Sequence, residues 1–179
     1  VPETVYLGGG TPSQMDPASL RGLLENIPGR PWAEATLEAA PGGIRADKAR
    51  EWVRGGINRV SLGVQSFHPK ELSRTGRKHT ADVVQAEVDV LRQAGLTNFN
   101  IDLIAGLPGQ TAASWKQSLD WIERLDAPHV SIYMLEVDED SRLGSEILAL
   151  GKRYGAPEVP SDDQIVEFYE TAVERLRTM

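Results

Sequence analysis

Five short runs rich in Val, Ile, Leu, Phe and Tyr, at 4–8, 34–39, 58–64, 98–104 and 129–135, alternate with stretches whose apolar residues recur every three or four positions. The recurring sets are Leu20, Leu23, Leu24 and Ile27; Ala49, Trp52 and Val53; Val84, Val88 and Leu91; and Trp115, Leu119 and Ile122. Short apolar runs are strand-like and the longer spacing is that of amphipathic helices, so the chain reads as a βαβα series. Such a series packs its helices against a parallel sheet, an α/β fold. The punctuation agrees: Asp16-Pro17 suits the N-cap and first residue of a helix, and Gly55-Gly56 and Gly95 suit helix ends. A final helix at 161–178 opens with the capping box Ser161-Asp162-Asp163-Gln164 and carries Ile165, Tyr169, Ala172 and Leu176 on one face. The segment 138–160, with three Gly and two Pro, is expected to be a long connection.

The 179 residues fit a single domain, 1–179. Its first strand begins almost at residue 1 and its last helix runs to the end, whereas a complete (β/α)8 barrel takes roughly 250 residues. The expectation is a piece of a larger protein, truncated at both ends. A barrel cut in this way exposes unpaired strand backbone, so self-association through the cut edge is expected. A net charge of −7 without any Lys/Arg block argues against a nucleic acid or an anionic membrane as partner. No run is long and apolar enough to span a bilayer, and no signal-peptide pattern is present, so a cytoplasmic location is expected. The chain has no Cys, which excludes disulfides and thiolate metal ligands within these residues.

The polar residues fall at one end of this frame. Ligands of parallel α/β sheets bind beyond the carboxyl ends of the strands. At those ends the sequence places Gly8-Gly9-Gly10-Thr11, Glu38, Gln65-Ser66, Asp102 and Glu136. Any one of these is equally a cap or a solvated side chain, but five successive strands delivering polar groups or bare backbone point to a site. Gly8-x-Gly10-x-x-Ser13 is a poor dinucleotide fingerprint, because Pro12 removes an N–H that a pyrophosphate would use. Gly106-Leu107-Pro108-Gly109-Gln110-Thr111 lacks the Lys and the spacing of a phosphate loop and reads as a strand-to-helix turn. His68, His79 and His129 stand far apart, with no metal-ligand spacing, and no hydrolytic triad is apparent; no catalytic residue and no metal ligand is assigned.

The order of the blocks "GGGTPS", "LEAAPGGI", "GINRVSLGVQSF", "GRKH", "NFNIDLIAGLPGQT" and "APHVSIYMLEVDEDSRLG" resembles the radical SAM proteins related to oxygen-independent coproporphyrinogen III oxidase. Within that group the chain is most similar to the haem chaperone branch, long described as coproporphyrinogen-oxidase-like. The resemblance covers nearly the whole chain. It implies a partial, TIM-like (β/α)6 barrel of which the chain carries the second to sixth strands. It also implies S-adenosylmethionine as cofactor, with Gly9, Gly10 and Thr11 lining the site by backbone, where glycine leaves room for the ligand. Carried over residue by residue, Glu38 meets the methionine amino group, Arg77 its carboxylate, Gln65 and Asp102 the ribose hydroxyls, and Glu136 borders the adenine. The donor types suit these partners: a guanidinium forks onto a carboxylate, and carboxylate or amide oxygens accept from hydroxyls. Ala40 stands where the commoner family form has Asn, which removes a polar contact beside Glu38. His79 recurs in the family pattern without a role that can be given to it.

The resemblance further implies a [4Fe–4S] cluster held by a C-x-x-x-C-x-x-C loop after the first barrel strand, and reductive cleavage of S-adenosylmethionine there. This chain has no such loop, so the fragment alone is expected to be inactive and its enzyme status is open. The parent would bind the cluster, S-adenosylmethionine and haem or a porphyrinogen. The expected function is a haem chaperone that passes haem to accepting proteins. The alternatives are an oxidase decarboxylating coproporphyrinogen III in porphyrin biosynthesis, and a barrel scaffold without cofactor.

Overall fold

Glu34, Thr36 and Glu38 alternate with Ala35, Leu37 and Ala39 along one strand, and the same alternation of polar and apolar positions recurs in its neighbours. The computed structural model describes the whole chain, Val1–Met179. It has one five-stranded sheet in the order β1-β2-β3-β4-β5, with β1 (Thr4–Leu7), β2 (Glu34–Ala39), β3 (Arg59–Gln65), β4 (Phe99–Ala105) and β5 (His129–Met134). β1 pairs with β2 in parallel, Leu7 opposite Leu37, and β2 with β3, Glu38 opposite Ser61. Helical crossovers link the strands, as a parallel α/β arrangement requires. The chain packs as two compact units, one of residues 1–64, 82–101 and 127–130 and the other of 65–81, 102–126 and 131–179.

In the first unit, α1 (Pro17–Glu25), α2 (Ala46–Arg54) and α4 (Ala81–Gln93) supply the apolar layer. Leu20, Leu24, Ala49, Trp52, Val84, Val88 and Leu91 are buried there with Ala35, Leu37, Val60, Leu62, Phe99 and Ile101. Because successive side chains of a strand point to opposite faces, the other face of these strands carries the polar residues. There Thr36 donates to Glu34, Arg59 to Thr36 and Asn100 to Ser61. Asp16 caps α1 as expected, accepting from the amides of Ala18 and Ser19 at 3.1 Å. Leu23 and Val53, expected to face inward, are 45% and 40% exposed. Each sits at the border of its helix's apolar stripe, where the neighbouring residues already fill the contact.

In the second unit, α3 (Pro69–Arg74), α5 (Ala112–Arg124), α6 (Arg142–Leu148) and α7 (Asp162–Leu176) enclose Phe67, Leu72, Leu103, Trp115, Leu119 and Ile122. Phe67 stacks on Trp121 with centroids 5.7 Å apart, and the Trp115 indole donates to the Phe168 carbonyl at 2.6 Å. The capping box at Ser161 and Gln164 is present. The buried stripe of α7 runs through Ile165, Phe168 and Ala172, so Phe168 takes the inward place expected of Tyr169, which is 37% exposed. The long connection 138–160 holds α6 and a 3-10 segment at Arg153–Glu158. Its glycines suggested a loop, but Gly144 lies inside α6 because a side chain there would meet the Asp138 carbonyl at 2.1 Å. The strand bounds move by about a residue, with β1 stopping before Gly8 and β4 ending at Ala105, and Asp102 lies in mid-strand, not at the strand end where it was placed.

Candidate functional site

Glu38 is the penultimate residue of β2, on its polar face, and β1 lies beside it in register. Its carboxylate is gripped from β1: the Tyr6 hydroxyl donates to Oε1 at 2.8 Å, and the Gly9 amide donates to Oε2 at 3.0 Å. A carboxylate has about four acceptor positions, so two remain for a further donor such as an ammonium group. The three glycines after β1 have two different reasons. A Cβ on Gly8 would lie 2.8 Å from the Tyr6 ring and 3.0 Å from Glu38 Oε1, so Gly8 permits the close approach of these groups. Gly9 and Gly10, at φ 85° and 63°, hold the left-handed turn that aims the Gly9 amide at Glu38, and the space where their side chains would lie is open. Thr11 follows as the N-cap of a 3-10 turn at Pro12–Gln14.

The loop after β2 is anchored from a distance. Glu87 on α4, 7% exposed, accepts from the Ile44 amide at 2.7 Å and the Gly42 amide at 3.0 Å. The "APGGI" stretch is thereby fixed by a buried carboxylate instead of by its own side chains.

The second unit holds the other expected residues. Gln65, half-buried, ends β3 at φ 72°, a conformation that costs a non-glycine residue about 1–3 kcal/mol and persists only where surrounding contacts enforce it. Arg77 is placed by the end of α3, where its amide bonds the Leu72 carbonyl at 2.9 Å and the Gly76 amide bonds Ser73 at 3.2 Å. These two bonds form a Schellman motif, and Gly76 at φ 71° is its left-handed residue. The "GR" pair of the sequence is thus a helix stop that delivers a guanidinium. Burial pulls the Arg77 guanidinium below its ordinary value while the attraction of the Asp102 carboxylate acts in the opposite sense. Glu136 is exposed just past β5 and makes no side-chain hydrogen bond or ion pair.

The structure therefore gathers the expected residues in two sets, Gly9 and Glu38 in the first unit and Arg77 and Asp102 in the second. The sequence reading missed Tyr6, which grips Glu38; Glu87, which fixes the loop after β2; and the buried pair Glu71 and Gln110. Tyr6 was legible in principle, as the residue alternating with Gly8 on the polar face of β1; the others act across long separations. Two grooves are present, the first of them bordering the Gly9 turn. One of about 380 Å3 is lined by Tyr6, Gly9, Thr11, Pro12, Met15 and Leu23, and one of about 640 Å3 by Arg74, Leu107, Pro108, Leu135, Arg142 and Tyr154 among others. No three His, Cys, Asp or Glu side chains gather as metal ligands, and the chain has no Cys, so these residues do not fit an iron–sulfur cluster.

Residues 2–122 match the profile of the Radical SAM superfamily. The chain belongs to that superfamily. Among its radical SAM relatives, the heme chaperone HemW of Escherichia coli (strain K12) is 34% identical over 172 residues, 94% of this chain and 43% of that protein. The heme chaperone HemW of Bacillus subtilis (strain 168) is 31% identical over 179 residues, 97% of this chain and 46% of that protein. The chain thus spans less than half the length of these relatives. A solved radical SAM structure, the coproporphyrinogen III oxidase HemN of Escherichia coli, superposes with a TM-score of 0.84 at 27% identity, over 98% of this chain and 40% of that one. Archaeal Elp3 from Methanocaldococcus infernus shares the fold at a TM-score of 0.76 and 19% identity. The group resembled by the six sequence blocks is the one these comparisons return, and an open parallel α/β sheet suits a partial barrel. No helix is long and apolar enough to cross a membrane.

Proposed function

We propose that this chain is the S-adenosylmethionine-binding core of a haem chaperone-like radical SAM protein. The observation that carries the reading is the Glu38 carboxylate, held by Tyr6 and Gly9 against a glycine turn with acceptor positions to spare. In this assignment Glu38 takes the methionine ammonium, and the backbone of Gly9, Gly10 and Thr11 lies along it. Arg77 takes the methionine carboxylate, Gln65 and Asp102 take the ribose hydroxyls, and Glu136 borders the adenine. Ammonium on carboxylate and carboxylate on guanidinium are the strong, charge-assisted pairings, so these two ends orient the ligand. Bound S-adenosylmethionine supplies the adenosyl group of the family's chemistry; this chain's own residues bind and orient it. In this reading the cluster is held by residues outside this chain.

The relatives named heme chaperone HemW support haem as the cargo of the whole protein; the same reading takes a haem-accepting protein as its partner and the cytoplasm as its place. The structural likeness to coproporphyrinogen III oxidase supports the second reading, decarboxylation of a porphyrinogen. The longer protein, with its cluster reconstituted anaerobically, separates the two. A chaperone binds haem, gives it up to an acceptor protein and leaves coproporphyrinogen III unchanged. Conversion of coproporphyrinogen III with release of 5′-deoxyadenosine identifies the oxidase, and neither behaviour with no S-adenosylmethionine binding leaves a scaffold.

A further inference from the structure

Glu71, on the six-residue helix α3, is 0% exposed. Burying a carboxylate is costly unless hydrogen bonds compensate, and here they converge on one oxygen. Oε2 accepts from the Ser66 hydroxyl at 2.7 Å and from the Gln110 amide at 3.1 Å. Gln110 in turn donates to the Ile104 carbonyl at 3.1 Å, and its own oxygen accepts from the Gly106 amide at 2.6 Å. Ser66 accepts from the His68 amide at 2.9 Å. A single carboxylate oxygen therefore ties the end of β3 and the end of β4 to α3. One of the proposed ligand residues hangs from this knot: Gln65, left-handed and adjacent to Ser66, whereas Arg77 is held by the backbone bonds that end α3. The other oxygen, Oε1, has no hydrogen-bond partner, with His68 Nδ1 at 3.8 Å.

We propose that Glu71 is a positioning residue: through Ser66 and Gln110 it enforces the strained backbone of Gln65 and so sets the ribose contact of the ligand site. This rests on the S-adenosylmethionine reading above. It goes beyond that reading in assigning the geometry of a ligand contact to a buried group that touches no ligand. Because both bonds use Oε2, the role needs an acceptor at that point and no negative charge. Glu71→Gln can keep both bonds with its carbonyl at Oε2 and its amide toward His68. Glu71→Leu fills the same volume and leaves the Ser66 hydroxyl and the Gln110 amide without their acceptor.

The test is a titration of the 179-residue chain, followed by NMR, with S-adenosylmethionine and with its analogue lacking both ribose hydroxyls. Losing one well-formed hydrogen bond costs about tenfold in affinity. Glu71→Leu is expected to weaken S-adenosylmethionine binding by about that factor while leaving the dideoxy analogue nearly unaffected. Glu71→Gln should retain the wild-type preference, and Glu71→Leu added to Gln65→Ala should cost nothing further. If Glu71→Leu does not fold, Ser66→Ala and Gln110→Leu remove one arm of the knot each and should show the same selective loss. Equal weakening toward both compounds, an unchanged preference, or failure of Glu71→Gln to rescue overturns the positioning role and leaves the ligand assignment standing. A wild-type chain that binds neither compound overturns the ligand assignment, and the positioning role with it.

Discussion

Glu87→Ala removes the carboxylate that holds the loop after β2, and its cost can be worked from the groups left behind. Glu87 bonds two backbone amides, Ile44 at 2.7 Å and Gly42 at 3.0 Å, the latter shared between both oxygens. Ile44 is buried and Gly42 exposed, so water replaces the lost partner at Gly42 but not at Ile44. An orphaned buried donor costs about 1–3 kcal/mol, and hydrogen bonds to a charged group are at the upper end of the range. Relief of the buried carboxylate offsets part of this, which leaves a net loss of about 2–3 kcal/mol. For a chain of this size that is a fall in Tm of roughly 5–10 °C. Glu87→Gln can keep its carbonyl at Oε1, with Ile44 and one branch of Gly42, while its amide opposes the Gly42 N–H. It should lose only about 1 kcal/mol. Thermal denaturation measures the total, and hydrogen exchange at the Ile44 amide measures the loop itself. A loss below about 0.5 kcal/mol for Glu87→Ala, or equal losses for both variants, would refute this reasoning.

Three further outcomes follow from the same geometry. Gly76→Ala should destabilise by about 1 kcal/mol, since its left-handed φ of 71° and not any clash is what excludes a side chain, and urea unfolding will show it. Gly8→Ala should weaken S-adenosylmethionine binding by pushing Glu38 off the Gly9 amide, with little change in Tm; unaltered affinity would contradict the grip assigned to Tyr6 and Gly9. The Glu158 carboxyl is lowered to about 2 by its hydrogen bond to Arg74 and then by Lys70. A value lowered on folding means stabilisation that is full above the unfolded pKa near 4.5 and is lost as pH falls through about 2. The Tm gap between wild type and Glu158→Gln should therefore be small, because the pair is exposed, and should close on acidification from pH 6 to pH 2. A gap that widens on acidification would contradict this assignment.

Much of the frame is legible because it depends on local chemistry. The period-two and period-3.6 patterns place all five strands, and Asp16 and Ser161 mark two helix starts by side chains that reach their own amides. The helix α3 escapes such reading because six residues are too few for a hydrophobic period, and α6 escapes because Gly144 serves packing instead of a turn. Of the site, the residues next to glycine are the most readable: Gly9 and Gly10 turn the chain at Glu38, and Gly76 stops α3 at Arg77. The supports are not readable, since Glu87 acts on Gly42 across 45 positions and Gln110 on Glu71 across 39. Nothing local distinguishes such a glutamate from a solvated one. Asp102 was misplaced because it was counted as a strand end although the apolar run 98–104 already continued past it, and the strand runs to Ala105.

The most direct test of the central assignment is amide NMR of the 179-residue chain during a titration with S-adenosylmethionine. If the residue assignment is right, all the assigned residues should respond to one binding event. Gly9, Gly10, Thr11 and Glu38 should shift along the same saturable curve as Gln65, Arg77 and Asp102, giving a single Kd, and Glu38→Ala should weaken the response in both sets together. Shifts confined to one set, two separate curves, or a response centred on the groove lined by Arg74 and Arg142 would contradict it.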